Sequence, residues 1–146
     1  MSLTQRGKAV ILATFLYLAI EATALPMVTY GIKNHGTIRA IGISFFQDQA
    51  CTTPLTEISW GLLSPGENAS FVGFCKNTKT ISVTLTLQTQ NWSPSNAADY
   101  IGGSWNYTGA TISRGQVIPI AFSVAVAQNI TGITDFSFEF LVTATG

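Results

Sequence analysis

Long stretches of this chain alternate between apolar and small polar residues. Ile81, Val83, Leu85 and Leu87 interleave with Thr80, Ser82, Thr84 and Thr86; Ile118, Ile120, Phe122, Val124 and Val126 share one parity, as do Phe136, Phe138, Phe140 and Val142. Successive side chains of a strand point to opposite faces, so this pattern fits a strand with one buried and one wet face. A helix would scatter the same residues around its circumference. From Leu25 onward no segment has the 3.6-residue period of an amphipathic helix. The chain is expected to be all-β.

Turn chemistry divides it into seven to nine short strands. The pattern predicts strands over Val28–Lys33 and Thr37–Gln47, separated by Asn34-His35-Gly36 as a turn, with a bulge near Arg39-Ala40 because Ile38 is out of phase with Ile41, Ile43 and Phe45. Further strands are expected at Leu55–Trp60, Phe71–Cys75, Ile81–Leu87, Gly103–Tyr107, Val117–Val126 and Phe136–Val142. Ser64-Pro65-Gly66, Lys76-Asn77-Thr78 and Arg114-Gly115 read as turns, and Gln90–Asp99 as an irregular connection whose Trp92 and Pro94 pack over one end of the core. Pro119, with no N–H to donate, points to an edge strand or a bulge. Short strands at this spacing describe a β-sandwich, with a closed barrel as the alternative.

Ahead of this region lies a segment of another kind. Arg6 and Lys8 precede an apolar run from Ala9 to Ile20, followed by Glu21 and Ala22-Thr23-Ala24. A basic start, a short apolar stretch and an A-x-A site have the form of an export signal, and the run is shorter than the ~20 residues that span a bilayer. Residues 1–24 are expected to act as a signal-like N-terminal segment and residues 25–146 to form one domain, placed outside the cell or on its surface. Contact with a membrane is expected only through that segment.

Charge narrows the partners. From Leu25 the bases are Lys33, Arg39, Lys76, Lys79 and Arg114, and the acids are Asp48, Glu57, Glu67, Asp99, Asp135 and Glu139, with no run of either sign. Nothing here draws the surface to nucleic acid or anionic lipid. Sequons at Asn68, Asn91, Asn106 and Asn129 are candidate N-glycan sites. Cys51 and Cys75, an even pair in an exported chain, predict a disulfide closing a loop of about 25 residues and contributing roughly 3 kcal/mol.

No catalytic set emerges. His35 is the single imidazole and lies in a solvated turn sequence. Asp135 and Glu139 share a face opposite the Phe stripe, where a solvated surface accounts for them, and Asp48 with Glu57 lacks the clustered acidic spacing of a calcium loop. Neither a cofactor nor a metal site is expected, and the chain is read as non-enzymatic. Trp60, Trp92 and Trp105 suit the core or its ends better than a sugar-stacking platform.

The order Ile32-Lys33-Asn34-His35-Gly36-Thr37-Ile38, Cys51-Thr52-Thr53-Pro54-Leu55, Ile58-Ser59-Trp60-Gly61, Ser64-Pro65-Gly66-Glu67, Asn91-Trp92-Ser93-Pro94 and Ser104-Trp105-Asn106-Tyr107 resembles small exported archaeal surface proteins, similar to archaeal pilin or thread subunits. The resemblance implies an immunoglobulin-like sandwich behind a short apolar N-terminal helix, signal or pilin-like, and a function as subunit of an extracellular filament built from copies of the chain. Two joints are implied. A cut near Ala9 would retain an assembly helix of about 24 Å. A cut after Ala24 would leave Leu25–Lys33 as a strand that enters a neighbour, burying Val28, Tyr30 and Ile32, or as a strand that belongs to its own domain. The alternative is an anchored or secreted adhesin or carbohydrate-binding module that uses Trp92 or Trp105.

Overall fold

The computed structural model describes residues 31–146. They form eight strands: β1 (Lys33–Ile41), β2 (Ser44–Phe46), β3 (Glu57–Ile58), β4 (Asn68–Lys76), β5 (Thr84–Ser93), β6 (Ile101–Trp105), β7 (Val117–Val126) and β8 (Asp135–Thr145). A short 3-10 helix, Ser95–Asp99, joins β5 to β6. One sheet has the order β3-β1-β8-β5 and the other β2-β4-β7-β6. The apolar parity of each long strand faces its counterpart across the gap, so Phe122, Val124, Phe136, Phe138, Phe140 and Val142 are all buried. Aromatic rings carry the contact between the sheets. Phe122 of one sheet and Phe140 of the other lie 5.1 Å apart between centroids.

β1 and β8, from opposite ends of the described chain, pair in parallel along nine residues, Lys33↔Asp135 through Ile41↔Thr143. Asn34-His35-Gly36 therefore lies inside a strand and is not the expected turn. Its Asn and Gly serve packing instead. The Asn34 amide donates to the Gly61 carbonyl at 2.6 Å and its Oδ1 accepts the Trp60 N–H at 2.9 Å, while a Cβ on Gly36 would lie 3.2 Å from Trp60 Nε1. The expected bulge at Arg39-Ala40 is replaced by a crossing one turn later. At Gly42, with φ +80°, the chain leaves the first sheet, and Ile43 and Phe45 face the core from the second. That crossing explains why Ile38 and Ile43 differ in phase.

Other boundaries shift for similar reasons. Ile81, expected to face inward, is 48% exposed; Val83 bridges Ile112 outside any strand, and β5 begins at Thr84 and continues to Ser93. Asn77 holds this stretch from a buried position, donating to the carbonyls of Ile81 at 2.8 Å and Ile112 at 3.0 Å and accepting the Lys79 N–H at 2.9 Å. β5 thus takes up part of the expected irregular connection, its register breaking between Gln90 and Ser93, where Asn91 has φ +56°. Trp92 stacks on Phe138 at 4.4 Å. Pro119 lies in an interior strand, but beyond Phe122, where the β6 pairing ends, so β7 is locally an edge there.

The expected disulfide is not formed. Cys75 is fully buried on β4, whereas Cys51 sits in the 48–53 loop with φ +57° and directs its Sγ to the Gln49 carbonyl at 3.6 Å. Burial, and secondarily the neighbouring Cys51, pushes the Cys75 thiol up to about 12. Cys75 is in effect a small apolar core residue. No helix among the described residues is long and apolar enough to cross a membrane.

Candidate functional site: the open flank

A sandwich has two flanks, where the edge of one sheet faces the edge of the other. On the first, the chain itself joins the edges. Gln47 N–H donates to the Thr53 carbonyl at 2.8 Å and Leu55 N–H to the Phe45 carbonyl at 2.9 Å, both along β2. One residue later Ile38 N–H, on β1, donates to the Thr56 carbonyl at 2.9 Å, and β3 follows in the other sheet. Residues 53–58 therefore stitch sheet to sheet, with Leu55 buried between them.

Between β5 and β6 the chain crosses at the two ends: Ser95–Asp99 joins the strands at one, and at the other residues 106–112 run from the Ala121 carbonyl to Val83, just ahead of β5, where Val83 N–H donates to the Ile112 carbonyl at 3.0 Å and Ile112 N–H to the Val83 carbonyl at 2.8 Å. A groove of about 530 Å³ opens between these ends, lined by Leu85, Thr86 and Leu87 from β5, Gly103, Ser104 and Trp105 from β6, and by Tyr107 and Gly109 beyond. Its backbone polarity follows from strand alternation. Leu85 N–H points away from β8 and donates to Tyr107 Oη at 3.2 Å, so the N–H and C=O of Leu87 and Thr89 also face the flank. On β6, Asn106 N–H donates to the Ala121 carbonyl at 3.1 Å, which leaves Gly103 and Trp105 facing the flank by the same parity. Two free strand edges thus border one groove.

Side chains fix its width. At one end the sheets nearly touch: a Cβ on Gly103 would lie 2.8 Å from Phe140 Cε1 and 2.9 Å from Thr89 Cγ2. At the other end Tyr107 spans the gap, accepting from Leu85 and donating to the Ala110 carbonyl at 2.5 Å. Its ring meets Trp105 edge-on at 5.1 Å. Trp105 and Leu87 are half-buried and in contact with the core, which leaves apolar surface for an occupant.

The residues singled out from sequence distribute as follows. Ile32, an assembly candidate, is 5% exposed and paired with Leu63 through N–H to carbonyl bonds of 2.7 and 3.1 Å, so it belongs to its own core; the expectation that a neighbour buries it is corrected. Val28 and Tyr30 lie outside the described residues. Trp60 is buried and edge-on to Phe140 at 6.3 Å, Trp92 is committed to Phe138, and Trp105 alone of the three lines the groove. Tyr107 was not singled out, because its value lies in a hydroxyl bond to a strand 22 residues away.

His35 lies 3.5 Å from Glu57 on an exposed face. Asp135 and Glu139 do share the outer face of β8, four residues and roughly 13 Å apart, and Glu139 accepts from Gln90 at 2.6 Å. Asp48 accepts the Thr52 and Thr53 N–H groups and the Thr52 hydroxyl; the hydroxyl bond, then the Thr53 N–H, holds its carboxyl below the usual range. Among the described residues no three His, Cys, Asp or Glu side chains converge as metal ligands. Asn68, Asn91, Asn106 and Asn129 are all exposed, and Asn106 Oδ1 accepts the Ala121 N–H at 2.8 Å, extending the β6–β7 ladder. Compared with known proteins, the chain matches no family model and no curated protein.

Proposed function

We propose that this chain is a non-enzymatic structural subunit of an extracellular cell-surface filament, of the archaeal pilus or thread kind, assembled through its N-terminal segment. One observation carries the reading: the β5–β6 flank offers two free backbone edges beside a groove of mixed polarity that half-exposes Leu87 and Trp105. An extended segment laid there gains ladder hydrogen bonds from Leu87, Thr89, Gly103 and Trp105 and packs alternate side chains on Leu87 and Trp105. Leu25–Tyr30, with Val28 and Tyr30 on one parity, has that character.

Reach favours a neighbour as the acceptor. The described chain starts beside the Lys33↔Asp135 row, while the groove runs from the Thr89↔Phe140 row to Leu85↔Ala144, so its near end is five residues and roughly 17 Å further along the strands. Six extended residues span at most ~21 Å. The segment cannot both reach its own groove and fill it, whereas a second copy suffers no such limit. The export-type leader supports an extracellular setting, and the four exposed sequons support N-glycans as surface modifications.

Trp105 and Tyr107 in the same groove support a second reading, a carbohydrate-binding module in which Trp105 stacks on a sugar ring. Electron microscopy of sheared surface material from cells carrying the full chain separates the two. Filaments lost on Leu87→Lys and equally on Tyr30→Asp support strand exchange. Sugar binding lost on Trp105→Ala, without filaments in any sample, favours the module.

A further inference from the structure

The sandwich's two outer faces differ in chemistry. Lys33, His35, Arg39, Glu57, Asp135 and Glu139 lie on the outer parity of the β3-β1-β8-β5 sheet. On the other sheet, β4 and β7 present five outward rows: Asn68–Ala125, Ser70–Ser123, Val72–Ala121, Phe74–Pro119 and Lys76–Val117. Lys76, at a corner, is the single charge on that face, and Val72 at its centre is 48% exposed. The face also has a gradient of size. Beyond Val72 on one side are Phe74, Pro119 and, from β2, Phe46; on the other are Ser70 and Ser123, 2.9 Å apart between hydroxyls, then Ala125 and, from β6, Gly102 and Ser104.

We infer that this face pairs with the same face of a second copy, side by side between filaments. A two-fold axis lying in the face, across the strands at the Val72–Ala121 row, sets Val72 against its own counterpart. It also lays the bulky Phe74–Pro119 half over the small Ser70–Ser123 half. Charge selects the partner: an uncharged surface is desolvated at least cost against another uncharged one, and the opposite face of this chain is charged. Area sets the strength. Strands about 30 Å long in a four-stranded sheet give on the order of 450 Å² per copy, about 900 Å² for the pair, below the ~1,200 Å² of standard stable interfaces. A lone pair is weak, and many pairs along two filaments add. The inference rests on the filament reading for that addition.

The test keeps the two apart. In sheared material from cells that carry the full chain and attach no N-glycans, which at Asn68 or Asn106 would stand on this face, the wild type is expected as bundles, Val72→Glu as single filaments, and Gln88→Glu, exposed on the charged sheet, as bundles. Val72→Glu filaments bundled like the wild type overturn the face pairing. Absence of filaments of any kind overturns the filament reading, and cross-linking then decides the pairing alone. For this, the unglycosylated full chain is used, because Asn68 stands at the corner of the face, and Cys51→Ser removes the half-exposed thiol. A short bismaleimide is expected to join Val72→Cys chains at least tenfold more than Ser70→Cys chains. Equal or absent linking overturns it.

Discussion

The two flanks of the sandwich solve the same problem differently. Both bring the edge of one sheet against the edge of the other, and an uncovered edge invites pairing with another chain. On the β2–β1 flank, residues 53–58 accept bonds from both sheets in turn and bury Leu55. On the β5–β6 flank Ser95–Asp99 closes one end and the Val83–Ile112 bridge with Tyr107 the other, and between them the backbone edges of Leu87, Thr89, Gly103 and Trp105 are left over. A flank stitched by backbone along its middle is committed to the fold, whereas one closed only at its ends keeps free edges between them. That asymmetry locates the joint of the proposed polymer.

The largest effect should come from breaking the sealed side. Leu55 is 4% exposed, and its Cδ2 lies 2.7 Å from where Gly73 would carry a Cβ, so it plugs the space that the glycine leaves. Leu55→Ala is expected to cost about 2–5 kcal/mol, the range for truncating a buried leucine, read as a lower urea midpoint at unchanged slope. Next comes the narrow end of the open side. Gly103→Ala drives a methyl against Phe140, Thr89 and Phe138, two of them core rings, and is expected to cost about 1–3 kcal/mol by overpacking. A smaller loss from Gly103→Ala than from Leu55→Ala fits the comparison; the reverse order would show the open flank to be the structural one.

Tyr107→Phe sharpens the contrast further. It removes the bridge between Leu85 and Ala110 while the ring stays against Trp105. The freed groups are near solvent, so the loss should be about 1 kcal/mol. Faster amide exchange is expected at Leu85, with β1 and β3 unchanged. Leu87→Lys should cost no more than that, about 1 kcal/mol for a half-buried position against the core, while abolishing filaments. Separation of those two readouts is what a docking surface requires.

The sequence displayed the strands that carry the core most clearly. Val117–Val126 and Phe136–Val142 were legible because their apolar parity is a property of the strand alone, and both lie within strands at those positions. Asn34-His35-Gly36 was misleading because the residues that suit a turn also suit close packing under Trp60, a demand set 26 residues away. The crossing at Gly42 left its trace in the phase of Ile38, although the local pattern could not distinguish a bulge from a change of sheet. The open groove was legible only in pieces. Trp105 stood out as an aromatic, but free strand edges depend on which strands end up as neighbours, and no local pattern encodes that. Cys51 and Cys75 were paired by compartment, an argument blind to a core that places one thiol among β4 side chains and turns the other to Gln49.

The sealed flank also carries the weakest expected effect, which depends on pH. Asp48 caps the 48–53 loop by accepting from Thr52 and Thr53, and those bonds favour its ionised form. A carboxyl whose folded pKa lies below its unfolded one contributes stability that is complete above the unfolded value, near 3.9, and is lost as pH falls through the folded value. The loop should therefore hold at neutral pH and loosen only in strong acid. Because the side chain is solvent-facing, the change is local: the Thr52 and Thr53 amides should broaden below about pH 4, ahead of global unfolding, while Leu85 and Leu87 show no transition there. Asp48→Asn should flatten that pH dependence and leave the open flank untouched. A transition at both flanks in the parent would mean that the stitch and the groove move together.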